Sequence, residues 1–270
     1  MTAARVVPMV EIENVSKRYG SGQPVLGGIS LSVAKGEFVG LIGPSGCGKS
    51  TVLKLISGLT PPTSGSIRVD GMAPKDAREI VSYIFQDATL LPWRTVEQNV
   101  GLGLELEGVA RPAREQKTAA LLDLVGLTHV VKSYPRQLSG GMKMRVSIAR
   151  ALATSPRLLL MDEPFAALDE MSRDRLNEEI LRLQAEQKWT AVFVTHSVAE
   201  AIFLSTRIIV LAPTPGRIHA EFPVDLPVPR TESLRDSPEF DALAVRVSHA
   251  LRAALAPEAG TVTKTESAPP

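Results

Sequence analysis

The chain has 270 residues, with 30 basic side chains against 29 acidic ones and a formal charge of +1. That length suits one large α/β domain, or a core domain with a smaller insert, and the even charge balance excludes a cationic sheath for nucleic acid. The single cysteine, Cys47, excludes an intrachain disulfide and gives no metal-ligand spacing, and a reducing cytosol fits it.

No stretch reaches about 18 uninterrupted apolar residues, so the sequence predicts no membrane span, and residues 1–10 hold no apolar run of signal-peptide length. Any membrane role is therefore expected to come through a partner. Residues 10–15 and 29–33 alternate apolar with polar, the period of half-buried strands, and predict an antiparallel sheet. Residues 66–69 add another strand, ending in the turn pair Asp70-Gly71. Residues 38–42, 158–161 and 191–194 are continuous apolar runs, as expected of parallel strands buried on both faces.

Between the first and second of these runs lies a helical stretch from about residue 96 to 152, read as part of a helical subdomain at about 87–152. Its clearest piece is 119–125, with Gly126 as the stop. Residues 207–211 form another strand, and 213–216 a turn leading to Arg217-Ile218. Composition places the end of the core near Pro229, so 1–229 is read as one domain. Beyond it Leu243, Val247 and Leu251 recur four apart and predict a terminal helix within 230–255; from 256 to 270 Pro, Ala, Thr and Glu predict disorder. The absence of an internal repeat points to one unit rather than a tandem pair.

Each buried strand ends in a polar group, and ligands of open α/β sheets sit at the carboxyl ends of strands. The first leads into Gly43-Pro44-Ser45-Gly46-Cys47-Gly48-Lys49-Ser50-Thr51, which fits the phosphate-binding loop. Its backbone amides and the following helix start would face a phosphate. Lys49 is expected to reach the β- and γ-phosphates, and Ser50 to hold Mg²⁺. The second ends in Asp162-Glu163, adjacent carboxylates whose repulsion calls for a cation or a proton task. Asp162 is expected to hold Mg²⁺, directly or indirectly, and Glu163 to act as general base on water. The third ends in Thr195-His196. A lone histidine there is ordinarily structural, yet its position lets it donate to the γ-phosphate or to the attacking water.

Leu138-Ser139-Gly140-Gly141-Met142 precedes a basic helix whose apolar positions Met142, Val146, Ala149 and Ala153 share one face. Ser139 can cap that helix, while Gly140 and Gly141 leave its positive end uncovered for an anion. This run resembles the signature sequence of ABC-type ATPases, the motors of ATP-binding-cassette transporters, and the order of motifs resembles that family from residue 10 to about 218. The resemblance implies a P-loop NTPase fold of the ABC type: a parallel core sheet, an antiparallel β-subdomain and a helical subdomain.

It further implies that Gln86 touches Mg²⁺ and the water and hinges the helical subdomain, that Ala166-Ala167-Leu168-Asp169 is the D-loop, with Ala166 where many relatives have Ser, and that His196 is the switch histidine. Tyr19 matches the aromatic that stacks on adenine; the family apart, it could equally cover apolar surface at a sheet edge. In relatives the signature binds the γ-phosphate held by a partner subunit, so two cassettes close over two ATP molecules. Met142 departs from the usual Gln and cannot copy its hydrogen bonds. Residues 90–96, including Trp93, lie where relatives receive the coupling helix of the membrane subunit, although a Trp can simply pack into the subdomain.

Leu-Pro-Trp-Arg-Thr-Val, the Met-type signature and Pro215-Gly216-Arg217-Ile218 look most like ATPase subunits of nitrate, sulfonate and taurine importers. The expected partners are a second copy of the chain, transmembrane permease subunits and, indirectly, an extracytoplasmic solute-binding protein, with no nucleic acid. The expected place is the cytoplasmic face of the membrane, held peripherally. Rival readings are a motor for another solute or for lipid, or a non-transport ABC ATPase; the nucleic-acid and ribosome branches carry tandem cassettes, coiled-coil inserts or Cys-rich elements that this sequence lacks.

Overall fold

Alternation of apolar and polar residues pairs β1 (Val10–Arg18) antiparallel with β2 (Pro24–Val33), setting Val10 opposite Val33 and Ile12 opposite Leu31. The computed structural model describes residues 7–255. Most of the segment judged free of a signal peptide, and the whole tail read as disordered, lie outside the described residues. β3 (Phe38–Ile42) follows, then α1 (Lys49–Ile56), and β4 (Ser64–Val69) returns to the other edge of β1. Asp70 and Gly71 both take left-handed backbone, φ 49° and 79°, and close a tight turn in which Val69 and Met72 exchange backbone hydrogen bonds of 2.9 Å. A single bridge follows that turn rather than a strand.

β5 (Val81–Ile84) leads into four helices: α2 (Val96–Val100), α3 (Leu102–Leu106), α4 (Arg111–Leu124) and α5 (Gly140–Ala153). Thr95 and Gln98 make a reciprocal capping box at the start of α2, and Gly126, at φ 67°, follows the end of α4. The chain then runs through β6 (Leu158–Asp162), α6 (Glu170–Gln187), β7 (Thr190–Val194), α7 (Val198–Leu204), β8 (Arg207–Ala212), β9 (Arg217–Pro223) and α8 (Pro238–Leu255).

The large sheet has the order β5-β6-β7-β3-β8-β9, parallel from β5 to β8 and antiparallel only at β9. Every residue of β3, β6 and β7 is buried, and these strands lie side by side. Their alternate side chains supply two cores. Phe38, Leu159, Met161, Ala191 and Phe193 face the helices, while Val39, Leu41, Leu158, Leu160, Val192 and Val194 face α1 and the three-stranded sheet. Truncating a ring such as Phe193 at this depth would cost about 3–5 kcal/mol.

The core does not stop near Pro229, where composition puts its end. Phe240, Leu243, Val247 and Ala254 of α8 are buried in the helix-side core. Arg230 explains the attachment: its guanidinium donates to the carbonyls of Ile202, Phe203 and Ser205 at 3.1, 2.8 and 2.7 Å, and to Val224 at 3.3 Å. The first three lie at the end of α7, where carbonyls lack helical partners, so a buried cation satisfies them. No helix among the described residues is long and apolar enough to cross a membrane.

Candidate nucleotide site

β3 delivers the phosphate loop at the carboxyl edge of the large sheet. Gly48, at φ 96°, is the residue before α1, and a Cβ there would run into Leu26, so the loop turns into the helix only with glycine. Lys49 is buried, and its ammonium donates to the carbonyls of Gly43 at 2.8 Å and Pro44 at 3.0 Å. The cation thus closes the loop on itself. Cys47 beside it is buried, and desolvation pushes its thiol up from the ordinary value against the pull of the Lys49 charge.

Ser50 Oγ donates to Asp162 Oδ1 at 2.8 Å, so the loop from β3 and the end of β6 meet across β7. Burial raises the Asp162 carboxyl above its usual range, opposed by the Ser50 hydrogen bond, and the neighbouring Glu163 pushes it further up. Tyr83 on β5 reaches the other oxygen at 3.4 Å. Burial, together with the Asp162 charge, raises the phenol well above its ordinary value and keeps it a neutral donor.

Glu163 holds left-handed backbone at φ 50°, pinned by its N–H to the Val194 carbonyl at 3.0 Å. Such a conformation costs a non-glycine residue on the order of 1–2 kcal/mol. Its Oε1 lies 2.8 Å from His196 Nε2, and its Oε2 accepts from Gln86 Nε2 at 3.4 Å. The structure therefore brings five of the expected residues into direct contact, Ser50 with Asp162, and Gln86 with Glu163 and His196, while Lys49 holds the carbonyls of its own loop.

Tyr19 and the signature stand apart from these groups, with no hydrogen bond or ion pair to them among the described residues. Tyr19, half exposed just past β1, has the Lys17 ammonium 4.7 Å from its ring centre. Ser139 Oγ accepts from the Met142 N–H at 3.2 Å and caps α5, while Val146, Ala149 and Ala153 are buried and Met142 packs partly against the core. A Cβ at Gly140 would meet nothing within 4 Å, whereas one at Gly141 would lie 3.0 Å from the Ala167 carbonyl. The signature and the 166–169 loop are thus packed together within one chain.

Sequence reasoning missed several supports. Buried Asn99 ties the loop after Gln86 by accepting from Leu91 N–H and donating to the carbonyls of Leu91, Arg94 and Thr95. Arg150 of α5 donates to the carbonyls of Ala88 and Thr89, each at 3.0 Å, joining that loop to the signature helix. Trp93 on the same loop is 71% exposed, so it is not packed into the helices. Gly216 backs the phosphate loop: it exchanges backbone hydrogen bonds with Val25 and Gly27, and a Cβ there would strike the Cys47 carbonyl. Pro215-Gly216 in sequence marked a turn and a likeness, and its contact with Cys47 arises only from the fold.

A parallel sheet that presents a phosphate loop, paired carboxylates and a histidine along one edge, with an antiparallel sheet, a set of helices and a Ser-Gly-Gly helix start, defines an ATP-binding cassette. The ABC transporter family profile matches residues 26–166. The chain belongs to this family, and it is an ABC-type ATPase that binds and hydrolyses ATP. An ATP-binding protein of Brucella abortus biovar 1 is 46% identical over 90% of this chain and 94% of its own length. The aliphatic sulfonates import ATP-binding protein SsuB of Bacillus licheniformis is 44% identical over 86% and 89%. The nitrate import ATP-binding protein NrtD of Synechocystis is 43% identical over 83% and 86%. Among solved structures, the dimeric post-hydrolysis state of the cassette MJ0796 bound to ADP and Pi is 32% identical, covers 81% of this chain and all of its own, and superposes with a TM-score of 0.75.

Proposed function

We propose that this chain is the ATP-hydrolysing subunit of an importer for a small solute of the nitrate, sulfonate or taurine type, working as a homodimer at the cytoplasmic face of the membrane. The observation that carries the ATPase chemistry is the meeting of Ser50 with Asp162 and of Glu163 with His196 at neighbouring strand ends. The importer reading draws on relatives named for sulfonate and nitrate import, at 43–44% identity. The ATPase domain takes in the buried face of α8 as well as residues 1–229, with 87–152 as its helical subdomain.

ATP enters with its phosphates against the loop of residues 43–51, and Tyr19 stacks on the base. Lys49 leaves the carbonyls of Gly43 and Pro44 and pairs with the β- and γ-phosphates. A hydroxyl beside a carboxylate is a hard oxygen donor set that fits Mg²⁺, so Ser50 and Asp162 would hold it with Gln86 nearby. When bound, Mg²⁺ neutralises charge on the phosphates. Glu163 takes the proton of the attacking water, and His196 orients that carboxylate and senses the γ-phosphate. Ser139, Gly140 and Gly141 complete the site of a partner cassette, so ATP joins the dimer and hydrolysis releases it. The exposed Trp93 segment meets the permease, which a solute-binding protein feeds from outside.

The test is Glu163→Gln. ATP binding should persist, hydrolysis should nearly vanish, and an ATP-dependent dimer should accumulate in size-exclusion chromatography; turnover at the wild-type rate removes Glu163 as base. Co-purification from native membranes should recover permease subunits. Recovery of a ribosome or DNA complex instead overturns the transport reading.

A further inference from the structure

Glu200, in the first turn of α7, is a buried carboxylate with no part in the chemistry above. Its Oε2 accepts from Thr195 Oγ at 2.5 Å, and its Oε1 lies 3.4 Å from Arg173 Nε. The Thr195 hydroxyl also accepts from the Ser197 N–H at 3.0 Å, so one oxygen ties together the residues on either side of His196. Arg173 points the other way along the same chain of contacts: its Nη2 donates to the Leu168 carbonyl at 2.9 Å. Leu168 belongs to the loop that packs on Gly141 of the signature.

Capping of α7 does not require this carboxylate, since Ser197 Oγ already accepts from the Glu200 N–H at 3.2 Å. A carboxylate taken out of water is destabilising unless its partners compensate it. Burial raises the Glu200 carboxyl above its usual range, while the Thr195 hydrogen bond and the charges of Arg173 and Arg235 act against that rise. Arg235 also pairs with Asp174 of α6 at 2.7 Å and lies over the Phe203 ring of α7 at 4.2 Å, bracing the two helices that carry these loops. The contacts run without a break from Leu168 through Arg173, Glu200 and Thr195 to the loop whose His196 touches Glu163.

We propose that Glu200 is a positioning residue for ATP hydrolysis: by holding Thr195 and Arg173 together it sets the His196 loop against the 166–169 loop, so that a shift of the second moves the first. This rests on the roles given above to Glu163 and His196. It links the loop that touches the signature to the histidine that touches the general base.

The experiment measures kcat, KM for ATP and Tm on the full chain. Assayed well below its Tm, which the uncompensated Glu200 carboxylate should lower, Thr195→Val should lose kcat about tenfold with KM nearly unchanged, and Thr195→Ser should restore the rate. Arg173→Met should lower kcat by a similar factor, and the double variant Thr195→Val/Arg173→Met should fall little further than either single one, because coupled residues are non-additive. Losses that multiply to about 100-fold, or that vanish when the assay temperature is lowered further below Tm, overturn the proposal. If Thr195→Val does not fold, Glu200→Gln keeps an acceptor for Thr195 and removes the charge facing Arg173; its kcat should fall with Tm held, and a wild-type kcat overturns the proposal. Glu163→Gln run alongside separates the two readings. Activity there sinks the catalytic assignment, whereas an inactive Glu163→Gln beside a fully active Thr195→Val sinks only the Glu200 relay.

Discussion

Glu163 Oε1 and His196 Nε2 meet at 2.8 Å across the ends of two adjacent buried strands, with Gln86 on the other carboxylate oxygen. The imidazole fixes the rotamer of a carboxylate that already sits on strained backbone. His196→Ala should therefore lower kcat by about 100-fold or more, within the range of acid–base groups, and leave ATP affinity within a few-fold. Steady-state hydrolysis with calorimetric ATP binding checks this. A variant that turns over like wild type would make the contact structural.

Lys49→Ala should lose ATP binding by at least about tenfold, since one charge-assisted phosphate contact is worth about 1.5–3 kcal/mol. The same substitution releases the Gly43 and Pro44 carbonyls from their side-chain tie to α1. Unchanged affinity by calorimetry would contradict the phosphate-loop assignment.

Two glycine substitutions should separate fold from assembly. Gly216→Ala puts a methyl into the Cys47 carbonyl and within 2.9 Å of Leu26 and the Val25 carbonyl. It should destabilise the chain by about 1–3 kcal/mol and weaken ATP binding. Gly140→Ala meets no neighbour in its own chain. Its Tm should not fall, while ATP-dependent dimerisation in the Glu163→Gln background should weaken. A dimer of unchanged affinity would remove Gly140 from the shared site.

Asp70 gives a pH dependence. It pairs at 2.7 Å with both Lys35 and Arg157, and the Lys35 hydrogen bond and then the Arg157 charge hold its carboxyl below the ordinary 3.8. The unfolded chain therefore takes up this proton more readily, so the stabilisation is complete above the ordinary value and is lost as pH falls through the folded one. Asp70→Asn should cost about 1 kcal/mol or less at pH 7 in urea titrations, and the gap to wild type should close in acid. A gap that persists unchanged in acid would remove the ion pairs as its cause.

Legibility followed from how local each signal was. β3, β6 and β7 announced themselves because strands buried on both faces need continuous apolar runs, and their polar ends then marked Lys49, Ser50, Asp162, Glu163 and His196. β5 escaped notice: it has four residues and only Ile84 is buried, so neither a run nor an alternation stands out. Tyr83, Arg150 and Gly216 act through contacts spanning dozens of residues, which no local pattern records. Arg173 and Glu200 were equally silent, because a charged residue on a helix usually faces solvent.

Arg230 sets a lower limit on how far the chain can be trimmed. The family profile stops at 166 and the recognisable motifs end at 218, yet a chain cut at 229 would leave the carbonyls of Ile202, Phe203 and Ser205 bare and strip Phe240, Leu243 and Val247 from the interior. Such a fragment should keep every residue expected to handle nucleotide and still have a lower Tm than the full chain. Among the described residues the last buried side chain is Ala254, well past the last motif, so the interior outlasts the residues that name the family.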